Sequence, residues 1–123
     1  MTSLDIILVL SLLGIKHFFA DFVWQFDYMV REKGYYGQRG GIDHSLIHAV
    51  LTLFVLVPFA GTFDAFILAM LDGIVHYHID WAKMTINRNK DLSPEDREFW
   101  IWLGLDQMAH FLTYVGVVAI LIL

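Results

Sequence analysis

Four stretches of the chain are almost uninterruptedly apolar, about residues 4–26, 44–60, 63–81 and 99–123, and polar segments at 27–43 and 82–98 divide them. Each is close to the roughly 20 residues that cross a bilayer core as a helix, the second being the shortest. The period-two alternation of a barrel strand is absent, so the backbone N–H and C=O groups must be satisfied within helices. The pattern predicts an all-α fold in which residues 1–123 form a single integral membrane domain, a four-helix transmembrane bundle with two cytoplasmic loops. Pro58 and Gly61 mark a tight turn between the middle two helices, and Gly34, Gly37, Gly40 and Gly41 an irregular crossing in the first polar loop. Asp43 reads as the N-cap of the second helix, and Ser93-Pro94-Glu95-Asp96 as the start of the fourth.

The apolar stretches are broken at regular places. Two metal-competent side chains stand four positions apart in each: His17 and Asp21, His44 and His48, His76 and Asp80, Asp106 and His110. Residues i and i+4 share one helix face, so each pair can offer two ligands to a single point. With alternating helix directions all four pairs fall in the same half of the bundle, their midpoints roughly 3 to 12 Å below the loop-side boundary at about 1.5 Å per residue. Gln25, Thr52, Asp72, Lys83 and Tyr114 extend the same faces into narrow polar stripes. The other half reads Ile6-Ile7-Leu8-Val9-Leu10 and Val117-Val118-Ala119-Ile120-Leu121, with nothing ionisable. A relay or ion pathway needs groups at successive depths, so transport across the whole membrane is disfavoured.

Composition supports the lipid reading, with 58% hydrophobic and 17% charged residues and a mean hydropathy of +0.59. Arg31, Lys33, Arg39, Lys83, Arg88, Lys90 and Arg97 lie in or beside the two polar loops, and only Lys16 lies elsewhere. The positive-inside rule then places both loops in the cytoplasm and both termini outside an inner membrane. Trp24, Trp81, Trp100 and Trp102 cluster at the helix ends beside these loops, as interfacial aromatics do. The amino terminus lacks a positive n-region and carries Asp5, unlike a removable signal peptide. A net charge of −5 without a basic patch argues against nucleic acid. The absence of cysteine excludes disulfides, iron–sulfur clusters and thiolate zinc sites.

Imidazole and carboxylate without thiolate suit one or two divalent transition metals, Zn, Mn or Fe. The predicted ligand set is His17, Asp21, His44, His48, His76, Asp80, Asp106 and His110. Eight candidates exceed the four of a structural zinc, so either two metals are held or some of the eight orient the others. Asp80 and Asp106 are the candidate bridges of a hydrolytic centre, and Lys83 could meet an anionic group of the substrate. Lys16, unusually deep, could pair with an acid such as Asp72. His78 lies about 200° round the helix from His76 and reads as a packing residue. A haem between two facing histidines and a purely hydrogen-bonded polar core are the competing readings.

The segments His-Phe-Phe-Ala-Asp-Phe-Val-Trp-Gln (17–25), His-Ser-Leu-Ile-His-Ala (44–49), His-Tyr-His-Ile-Asp-Trp-Ala-Lys (76–83) and Leu-Asp-Gln-Met-Ala-His (105–110) together resemble a family of small bacterial and phage membrane proteins known as a domain of unknown function. The resemblance adds Gln25 and Gln107 to the characteristic polar positions. In motif style alone the pairs look like membrane-bound metal-dependent hydrolases related to a DNA-damage-regulated inner-membrane protein. The expected function is therefore a metal-dependent hydrolase at the cytoplasmic membrane face, acting on a lipid-linked or other anionic substrate. The alternative is a non-catalytic metal-stabilised membrane subunit or adaptor. A chain this small could also complete its site in a homo-oligomer or a larger membrane complex.

Overall fold

The computed structural model describes residues 1–123 and contains helices and no strand. Five α-helices follow in order: α1 Ser3–Phe18, continued by a π-helical turn Phe19–Val23, then α2 Asp27–Glu32, α3 Arg39–Ala60, α4 Thr62–Asn89 and α5 Arg97–Ile122. The four long helices pack in a closed ring, α1 on α3, α3 on α4, α4 on α5 and α5 on α1, while short α2 leans on α3. The first polar loop is therefore partly helical, and the helix count is five where four were expected.

Local chemistry accounts for most of the helix ends. Thr2 and Asp5 form a reciprocal capping box that starts α1. Gly61, at φ 74°, lets α3 turn into α4 within one residue, a backbone conformation costly for any residue with a Cβ. Pro58 is carried in the last turn of α3, where few downstream bonds depend on it. Two expected starts move. Asp43 lies inside α3, which begins at Arg39, and its carboxylate accepts from Tyr28 Oη and Arg39 Nε instead of capping. Asp96 folds back to accept from Ser93 N and Oγ, so residues 93–96 form a turn and α5 starts at Arg97 instead of Pro94. At its far end α4 runs on to Asn89, eight residues past the expected limit.

Three helices are long and apolar enough to cross a membrane: Ser3–Val23 including the π turn, α3 and α5. That points to a membrane protein. The expectation of four is met in length but not in composition, because α4 is interrupted by Asp64, Asp72 and Asp80. Large apolar side chains such as Leu4, Phe54, Phe63 and Ile101 cover the outside, while the interior splits in two. Near the Gly61 turn, Val9, Leu13, Leu56, Ala65, Leu68, Tyr114, Val117 and Val118 form an apolar core. Toward the α2 loop the interior is made of histidine, aspartate and lysine.

Candidate metal centre

All eight residues predicted as ligands are buried, and they meet. His17 and Asp21 come from α1 and its π turn, His44 and His48 from α3, His76 and Asp80 from α4, Asp106 and His110 from α5. Ligand atoms of Asp21, His44, His48 and His76 lie within 4.8 Å of one another, as do those of His17, His76 and His110, and those of Asp80, Asp106 and His110. These sets overlap in His76 and His110, so the cluster is one continuous volume. The stacking of helical residues four apart predicted each pair; the ring of helices brings the pairs together.

Two aspartates organise the imidazoles. Asp21 Oδ1 lies 3.1 Å from His44 Nε2 and 2.9 Å from His48 Nε2, and Asp21 Oδ2 lies 3.1 Å from His17 Nε2. Asp80 Oδ2 is 3.2 Å from His44 Nε2 and 3.5 Å from His76 Nε2, and Asp80 Oδ1 is 3.2 Å from His110 Nε2. Nε2 of His44 and His76 face each other at 3.2 Å. The π turn matters here, because one extra residue in the helical coil re-aims its side chains, and such turns recur at functional sites.

Three lysines surround the aspartates. Lys16 Nζ donates to Asp72 Oδ2 at 2.9 Å, and Thr52 donates to the same oxygen, so the expected Lys16 partnership with Asp72 is present. Lys83 Nζ stands 3.6 Å from Asp106 Oδ2. The third, Lys33, was assigned by sequence pattern only to the polar loop. In the structure it is 5% exposed and its Nζ donates to Asp80 Oδ2 at 3.1 Å and to Gln25 Oε1 at 2.7 Å. Burial alone would favour neutral Lys33, but Asp80 and Asp21 outweigh it and raise its pKa above the ordinary lysine value. No local period marks Lys33, and the close approach that turns this segment inward is at Gly40. A Cβ there would lie 2.7 Å from Tyr28 O and 2.9 Å from Met29 Cα, so α2 is pressed against the start of α3 and the chain after it is carried inward. His78 stays outside the cluster, as expected, bonded to Ile74 O and Tyr36.

With neutral histidines the charge does not balance. Four carboxylates (Asp21, Asp72, Asp80, Asp106) against three ammonium groups (Lys16, Lys33, Lys83) leave one negative charge in a low-dielectric interior, which a protonated imidazole or a bound cation would cancel. His44 Nδ1, His76 Nδ1 and Asp106 Oδ1 are buried without a hydrogen-bond partner. A donor set of imidazoles and carboxylates can hold a divalent cation.

No curated protein and no solved structure matches the chain. Residues 7–123 match a family described as protein of unknown function (DUF3307), a match that runs from within α1 to the end of the chain and takes in every residue of the cluster. The chain belongs to that family.

Proposed function

We propose that this is a membrane-embedded metal-dependent hydrolase. In this reading α1, α3, α4 and α5 form a four-helix transmembrane bundle in one domain of the inner membrane, with the α2 loop and the 90–96 turn in the cytoplasm and both termini outside. The polar residues of α4 are compatible with crossing because Asp72, His76 and Asp80 face the interior. The observation that carries the proposal is the convergence of five imidazoles and three carboxylates from four helices on one buried volume. A divalent transition metal held there would polarise the scissile group and activate water, with Asp80 or Asp106 as the carboxylate nearest the reaction. In this reading Lys83, 13% exposed at its side chain, meets an anionic oxygen of a lipid-linked or other phosphoester.

Metal content of detergent-purified protein and phosphoester turnover test this reading together. One or two equivalents of zinc, manganese or iron are expected in the wild type, with hydrolysis abolished and metal retained in Lys83→Ala. No metal after incubation with all three ions overturns the metal reading. Metal without turnover on a panel of phosphomonoesters and phosphodiesters favours the second reading, a metal-stabilised subunit or adaptor. The full burial of His44, His48 and His76 supports that alternative, since structural sites are closed whereas catalytic ones keep an open position.

A further inference from the structure

We infer that the five histidines divide by role: His44 and His76, with Asp21 and Asp80, form a four-coordinate site for a single zinc-class cation, while His17 and His48 are hydrogen-bond donors that hold Asp21. This rests on the metal-binding reading above and goes beyond it in ligand set and stoichiometry; four protein ligands leave no open position, so it favours the metal-stabilised alternative over hydrolysis.

Ring planes give the first argument. A coordinated imidazole keeps the metal in its own plane, along the Nε2 lone pair, so two rings stacked face to face cannot direct their lone pairs to one ion. His76 is stacked on His48, with centroids 3.5 Å apart and planes at 24°, and on His110 at 4.1 Å and 25°. His76 therefore shares an ion with neither. His44 crosses His76 at 58° with centroids 5.1 Å apart. Two imidazoles on a tetrahedral ion, at a metal–nitrogen distance of about 2.0–2.1 Å, would place their centroids about 5 Å apart and their nitrogens about 3.3 Å apart. The observed Nε2 separation is 3.2 Å. Asp21 Oδ1 stands 3.1 and 3.7 Å from these two nitrogens, and Asp80 Oδ2 stands 3.2 and 3.5 Å from them, edges that scatter around the same value.

Hydrogen-bond direction gives the second. An ammonium can donate three times and cannot accept. Lys16 Nζ has three acceptors in reach: Asp72 Oδ2 at 2.9 Å, His48 Nδ1 at 3.2 Å and His48 O at 3.5 Å. His48 Nδ1 thus accepts, its ring proton sits on Nε2, and Nε2 donates to Asp21 Oδ1. His17 is locked in the same tautomer by different neighbours. Its Nε2 faces two acceptors, Asp21 Oδ2 and Gln107 Oε1, the latter oriented because Gln107 Nε2 donates to Asp106. Tyr114 Oη accordingly donates to His17 Nδ1 at 2.8 Å. One donor thus grips each oxygen of Asp21, the arrangement by which outer residues orient a metal-binding carboxylate. Nε2 of His44 and of His76 also faces two carboxylate oxygens, but nothing donates to Nδ1 of either ring, so a cation can take the place of the Nε2 proton while Nδ1 stays free to carry it. His110 holds Asp80 at the other oxygen, Oδ1, while Lys33 donates to Oδ2 itself.

X-ray absorption at the zinc edge of the zinc-loaded wild type, paired with metal counting, tests the division without relying on a variant that could misfold. One zinc per chain with two imidazoles and two oxygen ligands is expected; two zincs per chain, or three or more imidazoles per zinc, overturn the inference while leaving metal binding intact. Among variants that elute as the wild type does, His44→Gln and His76→Gln should lose the zinc. His17→Gln and His48→Gln should keep one equivalent with affinity lowered about 10- to 100-fold. Outright loss of zinc in folded His48→Gln overturns the assignment, and absence of zinc from every preparation overturns the metal reading beneath it.

Discussion

Toward the Gly61 turn the four long helices meet over Val9, Leu13, Leu56, Ala65 and Val117; toward the α2 loop the same helices meet over His44, His48, His76, Asp21 and Asp80. The first region is regular helix with apolar residues inside and outside. The second contains the π turn, the short helix α2 and the inturned Lys33. If the bundle lies in the membrane as proposed, the difference follows from what lipid does to each kind of contact. Apolar side chains gain little by leaving lipid for a protein interior, so the apolar half is held by packing alone and many shapes serve it. Each charge in the polar half is tolerable only while its particular partner is present, so geometry there is exacting.

Breaking the polar half should have the largest effect. Lys16→Met leaves Asp72 with only Thr52 as a partner, and loss of about 3–5 kcal/mol is expected from denaturant titration in detergent. Removing both charges, as Lys16→Met with Asp72→Leu, should recover most of that loss. A double variant no more stable than Lys16→Met would show that the pair is not what Asp72 requires. Next comes Gly40→Ala, where the new methyl meets backbone on α2 at under 3 Å. A cost of about 1–3 kcal/mol is expected, together with faster proteolysis of the 27–38 segment as α2 is pushed off α3. Wild-type cleavage rates would mean that α2 is not held there. The smallest effects belong to the apolar half. Leu56→Ala should cost about 2 kcal/mol, the low end for a buried leucine because lipid removes the transfer component, and Phe54→Ala on the outer face under about 0.5 kcal/mol. If Leu56→Ala proved as damaging as Lys16→Met in the same titration, the contrast between the halves would fail.

The helical pairs were legible because both members of His17/Asp21 or His76/Asp80 are set by one local period, and depth followed from chain direction. Lys33 was not legible, because a lysine between Glu32 and Gly34 has no periodicity that separates a loop surface from an interior. Asp43 and Pro94 carried plausible capping chemistry and lost to competing partners, Tyr28 and Arg39 in one case and the Ser93 turn in the other. The length of α4 was underread because its polar extension past Trp81 lacks the apolar run that defines a span; its Thr85 and Arg88 instead hold Gly34 O of the α2–α3 loop.

What the amino-acid order determined by itself is the helical class, the depth of the four pairs and the donor chemistry they offer, since all three depend on residue type and helical period. Which imidazole faces which oxygen, which rings stack, and which lysine stands behind which histidine were decided by tertiary structure. Those relations depend on helix rotation and crossing, set by long-range packing and by one additional residue in the π turn, and no local period encodes them.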